Sequence, residues 1–158
     1  MRQEKDMGFK TGLGIKGLYH LELRDEYGEL KEERIVHNTV TELGDAHVAD
    51  AMSDQGEGAL GFMAIGTGSG QGAASVGLAV SLDRNALTST TQGAGGDDND
   101  VVFVGTWVPG DGTGAITEAG IFLGDNNTSM NYYADFAAVN KLAADSLTIT
   151  WTVTYGAS

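Results

Sequence analysis

From Ser146 to Tyr155 the chain reads Ser-Leu-Thr-Ile-Thr-Trp-Thr-Val-Thr-Tyr, with apolar side chains at every odd position and hydroxyls at every even one. Successive side chains of a strand point to opposite faces, so an unbroken period of two describes a strand. Its Leu, Ile, Trp, Val and Tyr face a core. Its threonines face solvent or a polar contact, and neighbouring strands must supply the hydrogen-bonding ladder. A chain with such a run has to build a sheet.

Other segments supply partners for it. From Gly17, residues Tyr19, Leu21 and Leu23 alternate with Leu18, His20, Glu22 and Arg24. After a turn at Glu26-Tyr27-Gly28, a second strand sets Glu33, Ile35 and His37 on one face and Arg34 and Val36 on the other. This predicts an antiparallel hairpin whose charges also protect a sheet edge. Phe62–Ile65 is a short buried strand entering Gly66-Thr67-Gly68-Ser69-Gly70-Gln71-Gly72. Val101–Val108 is apolar on both alternating faces, which predicts a central strand covered on both sides. Strands at Ile116–Leu123 and Tyr132–Val139 follow, separated by the turn Pro109–Gly112 and the loop Gly124–Asn127. Residues 53–61 and 93–100 read as loops, and Val76–Leu87 fits either a short helix or an irregular crossing segment. The 24 glycines beside a single proline mark turns, bulges and close backbone approach in such a design.

One helix is expected, from about Val40 to Met52, with Leu43, Ala46, Ala49 and Met52 on one stripe. Thr39 and Glu42 have the spacing of a capping box. The fold class is therefore mainly β, an antiparallel β-sandwich of jelly-roll-like type with one short helix. Residues 17–158 form a single domain. Residues 1–16 lack alternation and carry Arg2, Lys5, Lys10 and Lys16, which predicts a basic docking arm.

Charge narrows the partners. There are 22 acidic and 9 basic side chains, a formal charge of −13, and after residue 50 the bases are Arg84 and Lys141 alone. A surface so poor in cations repels phosphates, so no nucleic-acid or anionic-membrane partner is expected. No apolar run approaches the ~18–20 residues that span a bilayer, and the stretch MRQEKDMGFKTG has no apolar segment behind its charges. Neither a membrane span nor an export signal is expected. Cysteine is absent, which removes disulfides, thiolate zinc sites and cysteine nucleophiles.

The chemical motifs are individually weak. Gly66–Gly70 after a strand invites a phosphate cradle, but no Gly-Lys-Ser/Thr follows and a structural turn is the better reading. Asp97, Asp98, Asn99 and Asp100 lack the alternating ligands of a calcium loop and read as solvated. His20, His37 and His47 fall on separate elements, so a zinc site would need the fold to bring them together with a carboxylate. Glu118, set among apolar neighbours, would need a partner such as Asp135 for acid catalysis, and is expected instead to bond loop amides or face a subunit contact. Val102, Val104 and Val108 are the other subunit-contact candidates. No catalytic residue, cofactor or metal ligand is assigned.

The order of the motifs is itself informative: Asn38-Thr39-Val40-Thr41 before a helix, Met63-Ala64-Ile65-Gly66-Thr67-Gly68, Leu82-Asp83-Arg84, Thr117-Glu118-Ala119-Gly120-Ile121-Phe122, and Asn140-Lys141 before the Thr-rich strand. Over roughly residues 35–158 this resembles small structural proteins of tailed viruses of bacteria and archaea, in which similar segments recur in similar order. The resemblance implies a sandwich or jelly-roll subunit, commonly a homotrimer, on the virion surface. It carries no catalytic residues. The expected function is capsid decoration through the major capsid protein or other virion proteins, made in the host cytoplasm. A tail-fibre, tail-tip or adaptor subunit is the alternative. So is a carbohydrate-binding module stacking a sugar on Trp107, Trp151, Tyr132 or Tyr133.

Overall fold

The structure is a computed structural model that describes residues 14–157. Its strands are β1 (Gly14–Arg24), β2 (Leu30–His37), β3 (Thr39–Val40), β4 (Phe62–Gly66), β5 (Ser81–Ala86), β6 (Ser89–Gln92), β7 (Asp100–Trp107), β8 (Gly114–Phe122), β9 (Met130–Lys141) and β10 (Ser146–Ala157). The helix α1 spans Glu42–Met52. Two antiparallel sheets form, in the orders β2-β1-β10-β7-β6 and β3-β9-β8-β4-β5. The β-sandwich is as expected. Hairpins β1–β2, β4–β5, β6–β7 and β8–β9 each stay within one sheet, so this strand order describes the topology better than a jelly-roll label.

The alternation of β10 sorts its faces as read. Leu147, Ile149, Trp151 and Val153 are fully buried, and the threonines between them lie half-buried on the outer side of the first sheet. Across the sandwich they meet Met63 and Ile65 of β4, Ile116 and Ile121 of β8 and Tyr132 of β9 in one core. Tyr19 packs edge-on to Trp151, with ring centroids 5.0 Å apart. The indole N–H of Trp151 donates to Asn38 Oδ1 at 2.8 Å. A Cβ on Gly17 would sit 1.3 Å from that oxygen, so only glycine leaves room for this bond. The β1–β2 turn is closed by the Asp25 carboxylate, which accepts from the amides of Tyr27 and Glu29, and Gly28 supplies φ 85.

Several sequence expectations need correction. β7 is covered on one side only: Phe103, Gly105 and Trp107 are buried while Val102 and Val104 lie half-buried on the outer face. Val108 follows the strand end and is 57% exposed. The strands buried on both faces are in the second sheet, β8 from Glu118 through Phe122, β4 from Met63 through Gly66 and β9 from Met130 through Ala134, because the long loop after β4 lies over that sheet. Val76–Leu87 is neither helix nor irregular throughout, since β5 occupies Ser81–Ala86. β6, all polar, had no apolar alternation to reveal it. Gly14–Lys16 belong to β1 and pair with β10, so the proposed arm cannot extend to residue 16. Its remaining bases Arg2, Lys5 and Lys10 lie outside the described residues.

The helix also differs from its stripe. Ala46, Ala49 and Met52 are exposed, and the buried helical residue is Gly44. A Cβ there would lie 2.4 Å from the Asn131 carbonyl, so α1 docks on β9 by backbone approach rather than by an apolar stripe. Its N-cap is Thr41, not Thr39: the Thr41 oxygen accepts from Gly44 N at 3.1 Å while its hydroxyl donates to the Met130 carbonyl at 2.6 Å.

The facing of β10 is tested by two neighbours. Trp151→Ala should cost about 3–5 kcal/mol in urea denaturation, whereas Thr150→Ala should stay within ~0.5 kcal/mol. Equal losses would mean that the threonine row is itself packed.

Candidate functional site

The most organised polar cluster is built on the outer face of the second sheet. β4 ends at Gly66, and the chain then crosses back over the sheet before β5 begins at Ser81. Glu118 points up from β8 beneath this loop and is 0% exposed. Its Oε2 accepts from the amides of Gly68 at 2.9 Å and Val80 at 2.8 Å. Its Oε1 accepts from the amide of Ala79 at 3.0 Å and the hydroxyl of Tyr133 at 2.9 Å. Burial, and then the bond to Glu118 and its charge, push the Tyr133 phenol well above its ordinary value, so it remains a proton donor.

The rest of the cluster tightens the same loop. Asp135 lies across the ladder from Glu118 and accepts from Gly70 N at 2.9 Å. Thr117 Oγ1 donates to the Gly68 carbonyl at 2.6 Å, and Thr67 N donates to the Val80 carbonyl at 2.9 Å. Asn127 brackets Leu78 by accepting from its amide and donating to its carbonyl. Close approach explains the glycines: a Cβ on Gly66 would lie 2.4 Å from Val80 O and 2.6 Å from Glu118 Oε2. Below the loop a second core gathers Ala64, Leu78, Phe122, Met130 and Tyr133. Arg84 lies over the Phe122 ring at 4.0 Å.

This geometry answers three sequence questions. The amides of Gly68 and Gly70 do face an anion, and the anion is internal, the carboxylates of Glu118 and Asp135. Of the two alternatives for Glu118, loop amides hold, and a fully buried carboxylate offers nothing to a subunit contact. The two residues are ladder partners, yet each carboxylate is engaged by loop amides, and Glu118 has no acceptor site left for a proton-transfer partner.

The other candidates are dispersed. Trp107, Trp151 and Tyr132 are 0% exposed and Tyr133 2%, so none of these rings offers a sugar a stacking surface. In the 97–100 segment Asn99 Nδ2 donates to the Tyr155 carbonyl, and the Asp98 carbonyl accepts from Gln92. His47 lies on α1 and His37 at the end of β2, apart from His20, which meets Glu33. Lys16 is exposed on β1. Lys141, at the end of β9, is buried and donates to the Val108 carbonyl at 3.2 Å. Sequence reasoning did not find Asp145, whose carboxylate bonds Lys31 Nζ at 2.7 Å and the Leu142 amide at 2.9 Å. Its one signal was an acidic residue just before a strand.

No protein-family model matches the chain, and comparisons with curated proteins and with solved structures give no match.

Two outcomes follow from these bonds. Glu118→Gln replaces one oxygen, and with it the acceptor of two of the four present donors, by an amide N–H₂; the lost charge-assisted bonds should cost about 2–3 kcal/mol, with faster hydrogen exchange at the Gly68, Ala79 and Val80 amides. Slow exchange at all of these amides in the variant would show that the loop does not depend on the carboxylate. Burial raises the Asp145 carboxyl, but the Lys31 bond, the Leu142 amide and the Lys31 and Lys141 charges outweigh it and hold the group below its usual range. A depressed folded value stabilises fully above the unfolded carboxyl value of about 3.9, and that contribution is lost as pH falls on through the folded value below it. Asp145→Asn should therefore lower Tm at pH 7 and lower it less at pH 3.

Proposed function

We propose that this protein is a structural subunit of a virion, a decoration protein that binds the assembled capsid shell and reinforces it. The observation that carries this reading is the fate of the residues behind the resemblance. Asn38 holds Trp151, Thr41 caps α1, Gly66 and Gly68 admit Glu118, Arg84 covers Phe122, and Lys141 closes on Val108. All of them are engaged in holding strands and loop together. A motif set used in this way is the signature of a building block, whose task is a durable surface.

The outer face of the first sheet is the contact surface in this reading. Val102 and Val104 stand there beside the threonines of β10, with Leu18 at 43% and Ile35 at 59% exposure on the same face. A homotrimer buries one such patch repeatedly through closed symmetry. The acidic balance of the chain suits a soluble subunit that joins a protein shell rather than nucleic acid.

Sedimentation at micromolar concentration should give three times the 16.4 kDa chain mass, and replacing Val102 and Val104 together by lysine should yield monomers that keep the β-rich circular dichroism. A wild-type protein that sediments only as a single chain removes the trimer. Immunogold labelling of purified particles should mark the capsid surface. Label confined to the tail would replace decoration by a fibre, tip or adaptor role, and particles without label would overturn the virion assignment.

A further inference from the structure

Away from the loop over the second sheet, three metal-ligating side chains meet on the open face of the first. His20 and Glu22 stand two residues apart on β1 and so share its outer face. Glu33 of β2 lies directly across the ladder from Glu22. One ligand atom from each side chain falls within 4.8 Å of the other two. His20 Nε2 is already 2.6 Å from Glu33 Oε2. We infer that His20, Glu22 and Glu33 form a binding site for a first-row divalent cation, and that zinc is the ion the donor set suits.

The donor chemistry selects the ion. One imidazole nitrogen and two carboxylate oxygens match zinc, which takes nitrogen and oxygen ligands at about 2.0–2.2 Å, whereas calcium asks for roughly six to eight oxygens. The placement selects for a cation at all. Two glutamates directly opposite each other on adjacent strands repel, and an ion between them turns that repulsion into attraction. Without the ion, His20 bonds Glu33 from the side and Arg24 Nη2 reaches Glu22 Oε2 at 3.0 Å. Arg24 also donates from Nη1 to the Gly28 carbonyl, so it keeps a partner when Glu22 turns to the metal.

Access needs no rearrangement of the fold. The side chains of His20, Glu22 and Glu33 are 35%, 29% and 43% exposed, and the ladder beneath them fixes their spacing. Three protein ligands leave one position of a tetrahedron open for water or for a donor from a second molecule. Neither His37 nor His47 belongs to the group, which makes them internal controls.

Isothermal titration of the full chain with zinc chloride should show one ion bound per chain. His20→Ala, Glu22→Gln and Glu33→Gln should each weaken binding by more than about tenfold, and His37→Ala should not. Added cobalt should give the visible absorption of a low-coordinate site, lost in the same variants. Because all three positions are on the sheet surface, unchanged circular dichroism verifies that each variant is folded. No zinc uptake at millimolar concentration, or variants that bind as the wild type does, would overturn the site.

Discussion

A carboxylate taken out of water must find hydrogen bonds elsewhere, and Glu118 finds all of them in one loop and one tyrosine. Among the described residues it makes no ion pair, so its charge rests on the amides of Gly68, Ala79 and Val80 and on the Tyr133 hydroxyl. Leaving such a group unpaired inside the chain would cost several kcal/mol, which is why the segment after β4 cannot drift from the sheet. The consequences spread outward. The returning loop carries Leu78 over Phe122 and Met130, the second sheet gains cover on both faces, and glycine becomes obligatory at positions 66 and 68 where backbone and carboxylate crowd together.

The two sheets are thereby made unequal. The second is enclosed between the main core and the loop with α1 at its side. The first has an inner face of large apolar groups and an outer face of threonines, Val102, Val104, Leu18, Ile35 and a few paired charges. A side-chain strap holds the layers at one margin: Arg34 of β2 donates across to the carbonyls of Ala137 and Ala138 on β9. Within the first sheet, Lys31 of β2 reaches Asp145 beside the start of β10. Among the described residues, the outer face of the first sheet is the one that no loop crosses. Both the proposed self-contact and the proposed metal site lie there.

Legibility followed the strength of local pattern. β1, β2, β4, β8, β9 and β10 were readable because each alternates, or runs apolar, within a few residues. β6 was not, since Ser89-Thr90-Thr91-Gln92 has no apolar member and becomes a strand only by pairing with β7. The helix was placed correctly and its packing misread, because a stripe of alanines and methionine carries less weight than the close approach that Gly44 allows. The apolar neighbours of Glu118 single it out, but its amide donors lie 38 to 50 residues away in the chain, and no spacing rule connects them.

The sequence by itself determined that the chain builds antiparallel sheets, which side chains of β10 and β1 enter the core, and that the formal net charge is −13. These are properties of neighbouring residues and of summed charge, and both are complete in one dimension. Only the tertiary structure decided which sheet is covered twice. Val102 and Val104 look as buried as Ile121 and Phe122 when read along the chain, yet the first pair faces outward and the second pair is enclosed. The physical reason is that cover for a sheet comes from distant segments. Here it comes from the loop that Glu118 holds down, and the side of the sandwich it crosses is a fact of three-dimensional packing.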